Sequence, residues 1–238
     1  MIKAITSKDN PRVKFAYSLK ENKNRNANKM FLAETFKSLE MALAQNLVVE
    51  VFATDYVELP EDIPLNLVSE NILKKLSSNV NPEGVVFIAK MNDKEVKNAN
   101  KVLYLDEISD PGNMGTLIRT ALAFNYDLVV TSENSVSIYN EKVINSSKGA
   151  IFAIPVRKGN LSSYKGTHQI IVSDLSKNSI DFNDLELKDK FVLVLGNESR
   201  GISKDTKKLA DVSIIIPISN IDSLNVSVAG GILMNKIH

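Results

Sequence analysis

The sequence predicts an α/β protein in two parts, a small mixed unit followed by a larger one built on a mostly parallel, covered sheet. Short runs rich in Val, Ile and Leu (residues 102–105, 128–130, 170–172, 191–195 and 212–216) alternate with segments of helical spacing. That is the pattern of strands buried on both faces between crossover helices. The charged, Asn-rich stretch 91–100 carries few apolar residues, and the pattern restarts after it. A chain of 238 residues, 44% hydrophobic and 24% charged, suffices for one large or two modest domains.

The first part reads as follows. Residues 10–20 predict a short helix, and the polar stretch 21–29 a loop. Residues 34–45 predict a helix, because Phe36, Leu39, Leu43 and then Leu47 recur at helical spacing. Strands are expected at 48–53, 65–68 and 85–89. Ser69 is the expected cap of a helix running through Leu76, and Asn81-Pro82-Glu83-Gly84 is a turn. These elements set a domain over 1–90, a linker over 91–100 and a second domain over 101–238.

In the second part, 102–105 is a strand and 113–124 a helix with Leu117, Ala121 and Phe124 on one face. Further strands are expected at 128–130, 152–156, 170–172, 191–195 and 212–216, with a helix at 141–147. The terminal helix contains Gly230-Gly231. Glycine lowers helix stability by about 1 kcal/mol per residue relative to Ala, a cost that close helix approach justifies.

Composition excludes several chemistries. The chain has no cysteine, so it has no disulfide, thiolate nucleophile or cysteine-bound metal. With only His168 and the terminal His238, a histidine metal cluster or a Ser-His-Asp triad is not expected. The N-terminus lacks the apolar core of a signal peptide, and no run reaches the roughly 18 apolar residues of a membrane helix. A cytoplasmic location away from membranes is expected. The net charge of +1 hides an asymmetry: residues 1–30 hold eight basic groups against two acids, leaving 21 basic against 26 acidic in the remainder. A basic arm on a mildly acidic body points to a polyanion.

Three polar turns follow predicted strands: Asp110-Pro111-Gly112-Asn113-Met114-Gly115 with Arg119 behind it, Gly196-Asn197-Glu198-Ser199-Arg200-Gly201, and Ile216-Pro217 leading to Ser223-Leu224-Asn225-Val226-Ser227. Turns at the strand ends of an α/β sheet are what a pocket is made from. The free N–H groups where the 113–124 helix starts would suit phosphate, with Asn113 as a possible N-cap. Arg119 lies about 1.7 turns further on, so both residues could face one mouth of the sheet. Neither G-x-x-x-x-G-K-[ST] nor G-x-G-x-x-G occurs, so phosphoryl transfer and Rossmann dinucleotide binding lack support. Gly112-Asn113-Met114-Gly115 also fits the G-x-x-G of KH domains, but the surrounding elements do not. Asp106, Glu107 and Asp110 could hold Mg²⁺; solvated loop acids are commoner, and no metal is expected.

These turns, in order and spacing, resemble the motifs of the SpoU (TrmH-type) RNA 2′-O-ribose methyltransferases of the SPOUT superfamily. The stretch Tyr139-Asn140-Glu141-Lys142-Val143 through Ser147-Lys148-Gly149-Ala150 resembles the family as well. So do Asn10-Pro11-Arg12-Val13-Lys14 and Phe31-Leu32-Ala33-Glu34, which look like its substrate-binding domain. The chain departs from the usual pattern at Ser219-Asn220, where a Gly is common, at Thr35, where Gly is usual after the Glu, and at Lys148, often apolar.

The resemblance implies a C-terminal SPOUT domain, a mostly parallel sheet with a deep trefoil knot, preceded by a small α/β RNA-binding domain. It implies S-adenosylmethionine as methyl donor, held at Gly196, Ile216 and Leu224, and transfer to a ribose 2′-hydroxyl of RNA, ribosomal more than transfer RNA. The site residues carried over are Asn113, Arg119, Glu198, Ser223 and Asn225. An arginine stays protonated, so Arg119 is read as a fork on substrate phosphate that stabilises charge developing on oxygen. Lys8, Arg12, Lys14, Lys23 and Arg25 are the expected RNA contacts, with Phe15, Tyr17 and Phe31 among them as candidate stacking partners, core packing being the expected fate of at least Phe31. A homodimer through the C-terminal domain is expected by resemblance. The competing readings are a non-catalytic RNA-binding or ribosome-assembly factor that keeps the fold, a transfer RNA 2′-O-methyltransferase, and a small-molecule α/β enzyme. The last leaves the basic arm unexplained.

Overall fold

The computed structural model describes residues 2–92, 94–176 and 178–238. Its chain divides into two compact units, Met1–Asn92 with Tyr139–Ala153, and Asp93–Ile138 with Ile154–His238. The first boundary falls inside the stretch read as a linker. The expectation that all of 101–238 forms one domain needs correction, because residues 139–153 pack in the first unit.

The first unit is built on strands β1 (Ile2–Ile5), β2 (Met30–Glu34), β3 (Val48–Ala53), β4 (Leu65–Val68) and β5 (Val85–Lys90), ordered β1-β4-β3-β5-β2. β4 pairs in parallel with β1 and β3, and β5 pairs antiparallel with β3 and β2. Side chains alternate across the sheet. Leu32, Phe52, Val86 and Ile88 join one core with Val13, Ala16 and Leu19 of helix α1 (Pro11–Ser18) and its C-terminal end, and with Ile72, Leu73 and Leu76 of a later helix, Glu70–Leu76. Phe31 and Phe87 point the other way. They meet Phe152 at ring separations of 5.6 and 5.9 Å, and Phe31 also meets Tyr139 at 4.8 Å. Phe152 therefore draws 139–153 onto this unit.

The polar stretch after α1, read as a loop, is a helix, α2 (Asn22–Asn28). It has no apolar stripe; a buried cation holds it instead. Arg25 is 6% exposed and donates to the carbonyls of Leu19 and Lys20 at 3.1 and 2.6 Å, satisfying the open end of α1. α3 (Phe36–Ala44) follows β2, and α4 (Glu70–Leu76) follows β4. Ser69 precedes α4, yet its side chain makes no cap hydrogen bond.

The second unit holds β6 (Lys101–Asp106), α5 (Pro111–Ala123) and β7 (Leu128–Thr131). The chain then enters the first unit as α6 (Glu141–Ser147) and α7 (Ala150–Ala153). It returns through β8 (Val156–Lys158), β9 (Gln169–Ser173), β10 (Ile180–Asp181), β11 (Phe191–Gly196), α8 (Lys204–Leu209), β12 (Val212–Ile215) and α9 (Val226–Lys236). The expected strand over 152–156 is thus a helical turn followed by a strand that starts at Val156. All seven strands are parallel, ordered β10-β12-β9-β11-β6-β7-β8. Val102, Leu103, Leu105, Val192, Leu193 and Val194 are fully buried, as a sheet covered on both faces requires. α9 lies tight on α5 and β11 at Gly230, where an added Cβ would stand 2.5 Å from Leu117 and 2.8 Å from Leu195. No helix among the described residues is long and apolar enough to cross a membrane.

Candidate active site

The parallel strands of the second unit direct their carboxyl ends to one edge, where the three polar turns emerge. Asp110, not Asn113, caps α5: its carboxylate accepts from the Asn113 N–H at 2.7 Å, with Pro111 in the first turn. Asn113 sits inside the helix with its carboxamide free for longer contacts. Its Nδ2 donates to Glu198 at 3.1 Å, and its Oδ1 accepts from Asn225 Nδ2 at 3.1 Å and from Ser227 Oγ at 3.3 Å. One hydrogen-bonded chain therefore links the turns after β6, β11 and β12.

Glu198 is the hub. Besides Asn113 it accepts from the Ser109 hydroxyl at 3.0 Å and from the N–H groups of Ser109 and Asp110 at 3.4 and 3.3 Å. Partial burial raises the Glu198 carboxyl, but hydrogen bonds from its own backbone, Asn113 and Ser109 outweigh it and hold the group below the ordinary carboxylate range. The carboxylate occupies the start of α5, where the helix dipole favours negative charge. The expectation that this helix end is open to phosphate is thereby corrected: the protein fills it with Asp110 and Glu198. Asn225 caps α9, its Oδ1 accepting from Ser227 N–H at 2.9 Å and Val228 N–H at 3.4 Å.

Beside this chain lies a cleft of about 400 Å³ lined by Leu195, Gly196, Glu198, Ile216, Ser223 and Leu224, among others. Its walls mix aliphatic side chains with polar and charged ones, among them Asp174, Arg200 and Asp222, and its volume suits a small organic ligand. Gly196 has a reason beyond ligand access. A Cβ there would lie 2.4 Å from the Gly201 carbonyl carbon, because the turn closes on itself through reciprocal Asn197–Gly201 backbone hydrogen bonds of 3.0 and 2.9 Å. The cleft includes Gly196, Ile216, Leu224, Glu198 and Ser223 of the expected set; Asn113 and Asn225 join it through Glu198. Arg119 does not enter the hydrogen-bonded chain. It is exposed on α5, and among the described residues its side chain forms no hydrogen bond or ion pair.

Asn197 was missed by the sequence reading, although an Asn in a strand-end turn is the signature of an Asx-turn. Only 8% exposed, it accepts from Ser199 and Arg200 N–H at 2.9 and 3.0 Å and donates to the Glu107 carbonyl at 2.8 Å. The three acids once weighed for Mg²⁺ all have protein partners: Asp106 accepts from Ser203 N–H, Glu107 pairs with Arg200, and Asp110 caps α5. No group of three or more potential metal ligands is found among the described residues.

Of the expected RNA contacts in the first unit, Lys8, Lys14 and Lys23 are exposed, Lys14 beside Asp9 at 2.9 Å. Arg12 is tied to Glu50, which also accepts from buried Asn66 at 2.8 Å. Arg12 keeps part of its side chain exposed beside Glu50, whereas Arg25 is buried on the end of α1 and is not presented to a ligand. Tyr17 is 46% exposed, with Lys75 Nζ 5.1 Å from its ring centre, whereas Phe31 lies in the core.

Residues 100–235 match the model of the SpoU rRNA methylase family, and residues 10–87 match the MRM3-like substrate binding domain. The chain belongs to the SpoU rRNA methylase family. It is 30% identical to a 23S rRNA (guanosine(2553)-2′-O)-methyltransferase of Bacillus subtilis, RlmP, over 98% of each chain. It superposes on the AdoMet-bound rRNA methyltransferase of Sinorhizobium meliloti with a TM-score of 0.85 at 25% identity, covering 98% of this chain and 96% of that one. AviRb of Streptomyces viridochromogenes, a SpoU methyltransferase solved with AdoMet, shares the fold with a TM-score of 0.83 at 20% identity, covering 95% and 96%. The MRM3-like match falls on the first unit, and the SpoU match takes in all of the second unit's strands.

Proposed function

We propose that this chain transfers a methyl group from S-adenosylmethionine to a ribose 2′-hydroxyl of RNA, ribosomal RNA rather than transfer RNA. The observation that carries the reading is the hydrogen-bonded chain Glu198–Asn113–Asn225 beside the cleft, in a member of the SpoU family. The B. subtilis relative, named for 2′-O-methylation of 23S rRNA, supports the substrate class. The cleft fits the donor by size and by its mixed aliphatic and polar walls, with Gly196, Ile216 and Leu224 as the residues that would hold it. The deep trefoil knot implied by the resemblance belongs to this proposal, as does a cytoplasmic site of action.

When bound, the donor supplies an electrophilic methyl group on a sulfonium. The transfer would form a carbon–oxygen bond at O2′, break the methyl carbon–sulfur bond to leave the neutral thioether, and pass the hydroxyl proton to water. Glu198 is ill suited to take that proton, because hydrogen bonds from its own backbone, Asn113 and Ser109 hold its carboxyl below the ordinary range. Its role is to set Asn113 and Asn225, and Ser223 at the cleft edge adds a hydroxyl toward substrate. Arg119, exposed on α5, would grip the substrate phosphate and stabilise charge growing on O2′. Acceleration then comes chiefly from alignment.

The first unit would bind RNA, with Lys8, Lys14 and Lys23 as the phosphate contacts that the structure leaves exposed. Dimerisation would use the outward face of α9, where Val228 and Ile232 are 52% and 37% exposed and nothing lies within 4 Å of a Cβ built on Gly231.

The test incubates the protein with methyl-labelled S-adenosylmethionine and total RNA, then digests with nuclease or protease. Label is expected in nuclease-sensitive material from wild type and to be lost in Arg119→Ala. Binding of the donor without any label in RNA would favour a non-catalytic RNA-binding factor and sink the proposal.

A further inference from the structure

At the end of β6, Glu107 adopts φ +56°, the left-handed region that a side chain enters at a cost. Such a conformation persists where its surroundings over-determine it, and here four contacts do so. The Glu107 N–H donates to Ser132 Oγ at 2.8 Å, and its carbonyl accepts from Asn197 Nδ2 at 2.8 Å. Its carboxylate accepts from Asn134 Nδ2 at 3.1 Å and pairs with Arg200 Nη2 at 3.0 Å. Ser132 is itself linked to Ser135, which donates to the Leu105 carbonyl at 3.1 Å. One residue thus binds the turn after β7 to the turn after β11, and none of these contacts belongs to the Glu198–Asn113–Asn225 chain.

Two of the Glu107 partners, Asn197 and Arg200, line the cleft. Asn197 shapes the turn from within, through its contacts to Ser199 and Arg200 N–H. Arg200 stands at the mouth with its side chain 71% exposed, so little besides Glu107 restrains it. A left-handed backbone at 107 aims the carbonyl at Asn197 while the side chain reaches Arg200. A glycine would supply the first contact but not the second.

We propose that Glu107 is a positioning residue for the methyl donor: it holds the turn 197–201, through Arg200 and Asn197, in the shape that closes the cleft. The inference rests on the cleft being the donor site. The ion pair is largely exposed, and pairs of that kind contribute up to about 1 kcal/mol, or about fivefold in affinity. It acts on donor binding and not on the reacting groups, so its loss falls on KM for the donor more than on kcat.

The experiment measures S-adenosylmethionine affinity by calorimetry and thermal stability by melting for wild type, Glu107→Gln, Glu107→Gly, Arg200→Met and the double variant Glu107→Gln/Arg200→Met. The expected result is a threefold to fivefold rise in Kd for each single variant and no further rise in the double, because both remove one contact. Glu107→Gly should lose this affinity while melting no lower than wild type, since it relieves the backbone at 107. A purely structural role would make affinity follow melting temperature. Unchanged Kd in the variants, affinity losses that track melting, or additive losses in the double variant would each overturn the proposal while leaving the cleft assignment intact. No binding by wild type would overturn the cleft assignment and the proposal with it.

Discussion

Thr35 carries a conformation its side chain should resist. It joins β2 to α3 with φ +81° and ψ 142°, a region populated almost solely by glycine, and it is β-branched. Such strain costs about 1–3 kcal/mol. The strain is imposed from both sides: Glu34 before it is locked by Ser77, Ser78 and Asn145, and α3 must begin immediately after it. Thr35 recovers part of the cost by capping α3, its Oγ1 accepting from Ser38 N–H at 3.2 Å. Replacing a Thr cap by Gly costs only a few tenths of a kcal/mol, and the added freedom of glycine in the unfolded chain about 0.5–1 kcal/mol. Thr35→Gly should therefore stabilise the protein by about 1 kcal/mol, which for this chain length raises the melting temperature by about 2–4 °C. Thr35→Ala keeps the strained backbone and loses the cap, so it should destabilise by about 1 kcal/mol. Thermal unfolding followed by circular dichroism compares the three proteins. A Gly variant melting at or below the Ala variant would refute the argument, since strain relief is the only term that separates them in this direction.

Glu198→Ala should reduce methyl transfer to RNA by about tenfold or more, equivalent to about 1.4 kcal/mol of barrier; an unchanged rate would remove Glu198 from the site. Acid should weaken the fold through Glu34 and Glu198. Burial raises the Glu34 carboxyl, but hydrogen bonds from Ser77, Ser78 and Asn145 hold it below its ordinary 4.5, and Glu198 is lowered likewise. A depressed folded pKa contributes stability above the unfolded value and loses it as pH falls through the folded one. The urea midpoint should thus decline below about pH 4.5, and Glu34→Gln should flatten that decline. Gly230→Ala should destabilise by about 1–3 kcal/mol, because its Cβ would meet Leu117 and Leu195. Gly231→Ala has open space around it and should stabilise a monomer by about 1 kcal/mol; a melting loss that deepens with protein concentration would instead locate the dimer face there.

Much of the second unit was legible because a wholly parallel sheet needs continuous apolar strands, and 102–105, 128–130, 170–172 and 191–195 all lie inside strands of the structure. The meeting of three turns was legible for the same reason, since parallel strands send their carboxyl ends to one edge. What failed depended on contacts distant in sequence. α2 has no apolar period and is held by Arg25 on the end of α1, so a polar helix read as a loop, and a buried cap read as an RNA contact. Phe152 sits in a run that looks like a strand, yet it packs on Phe31 and Phe87 from a helical turn. Asn113 was expected in the site with capping as its alternative; Asp110, three residues earlier, performs the capping and leaves the carboxamide to Glu198 and Asn225. Glu107 gave no pattern to read, because its importance lies in a backbone angle; Asn197 offered only the short signal of an Asn in a strand-end turn.

The return of residues 139–153 to the first unit bears on how this protein can be taken apart. A gene fragment ending at residue 92 would encode a sheet whose Phe31 and Phe87 have lost Phe152 and whose Glu34 has lost Asn145. Grafting that fragment onto another enzyme would transplant an unfinished wall, its missing piece still encoded between two strands of the donor's other half. Recombination could exchange the two halves cleanly only if it also carried that short internal insert, so their inheritance is bound together by more than a single covalent junction.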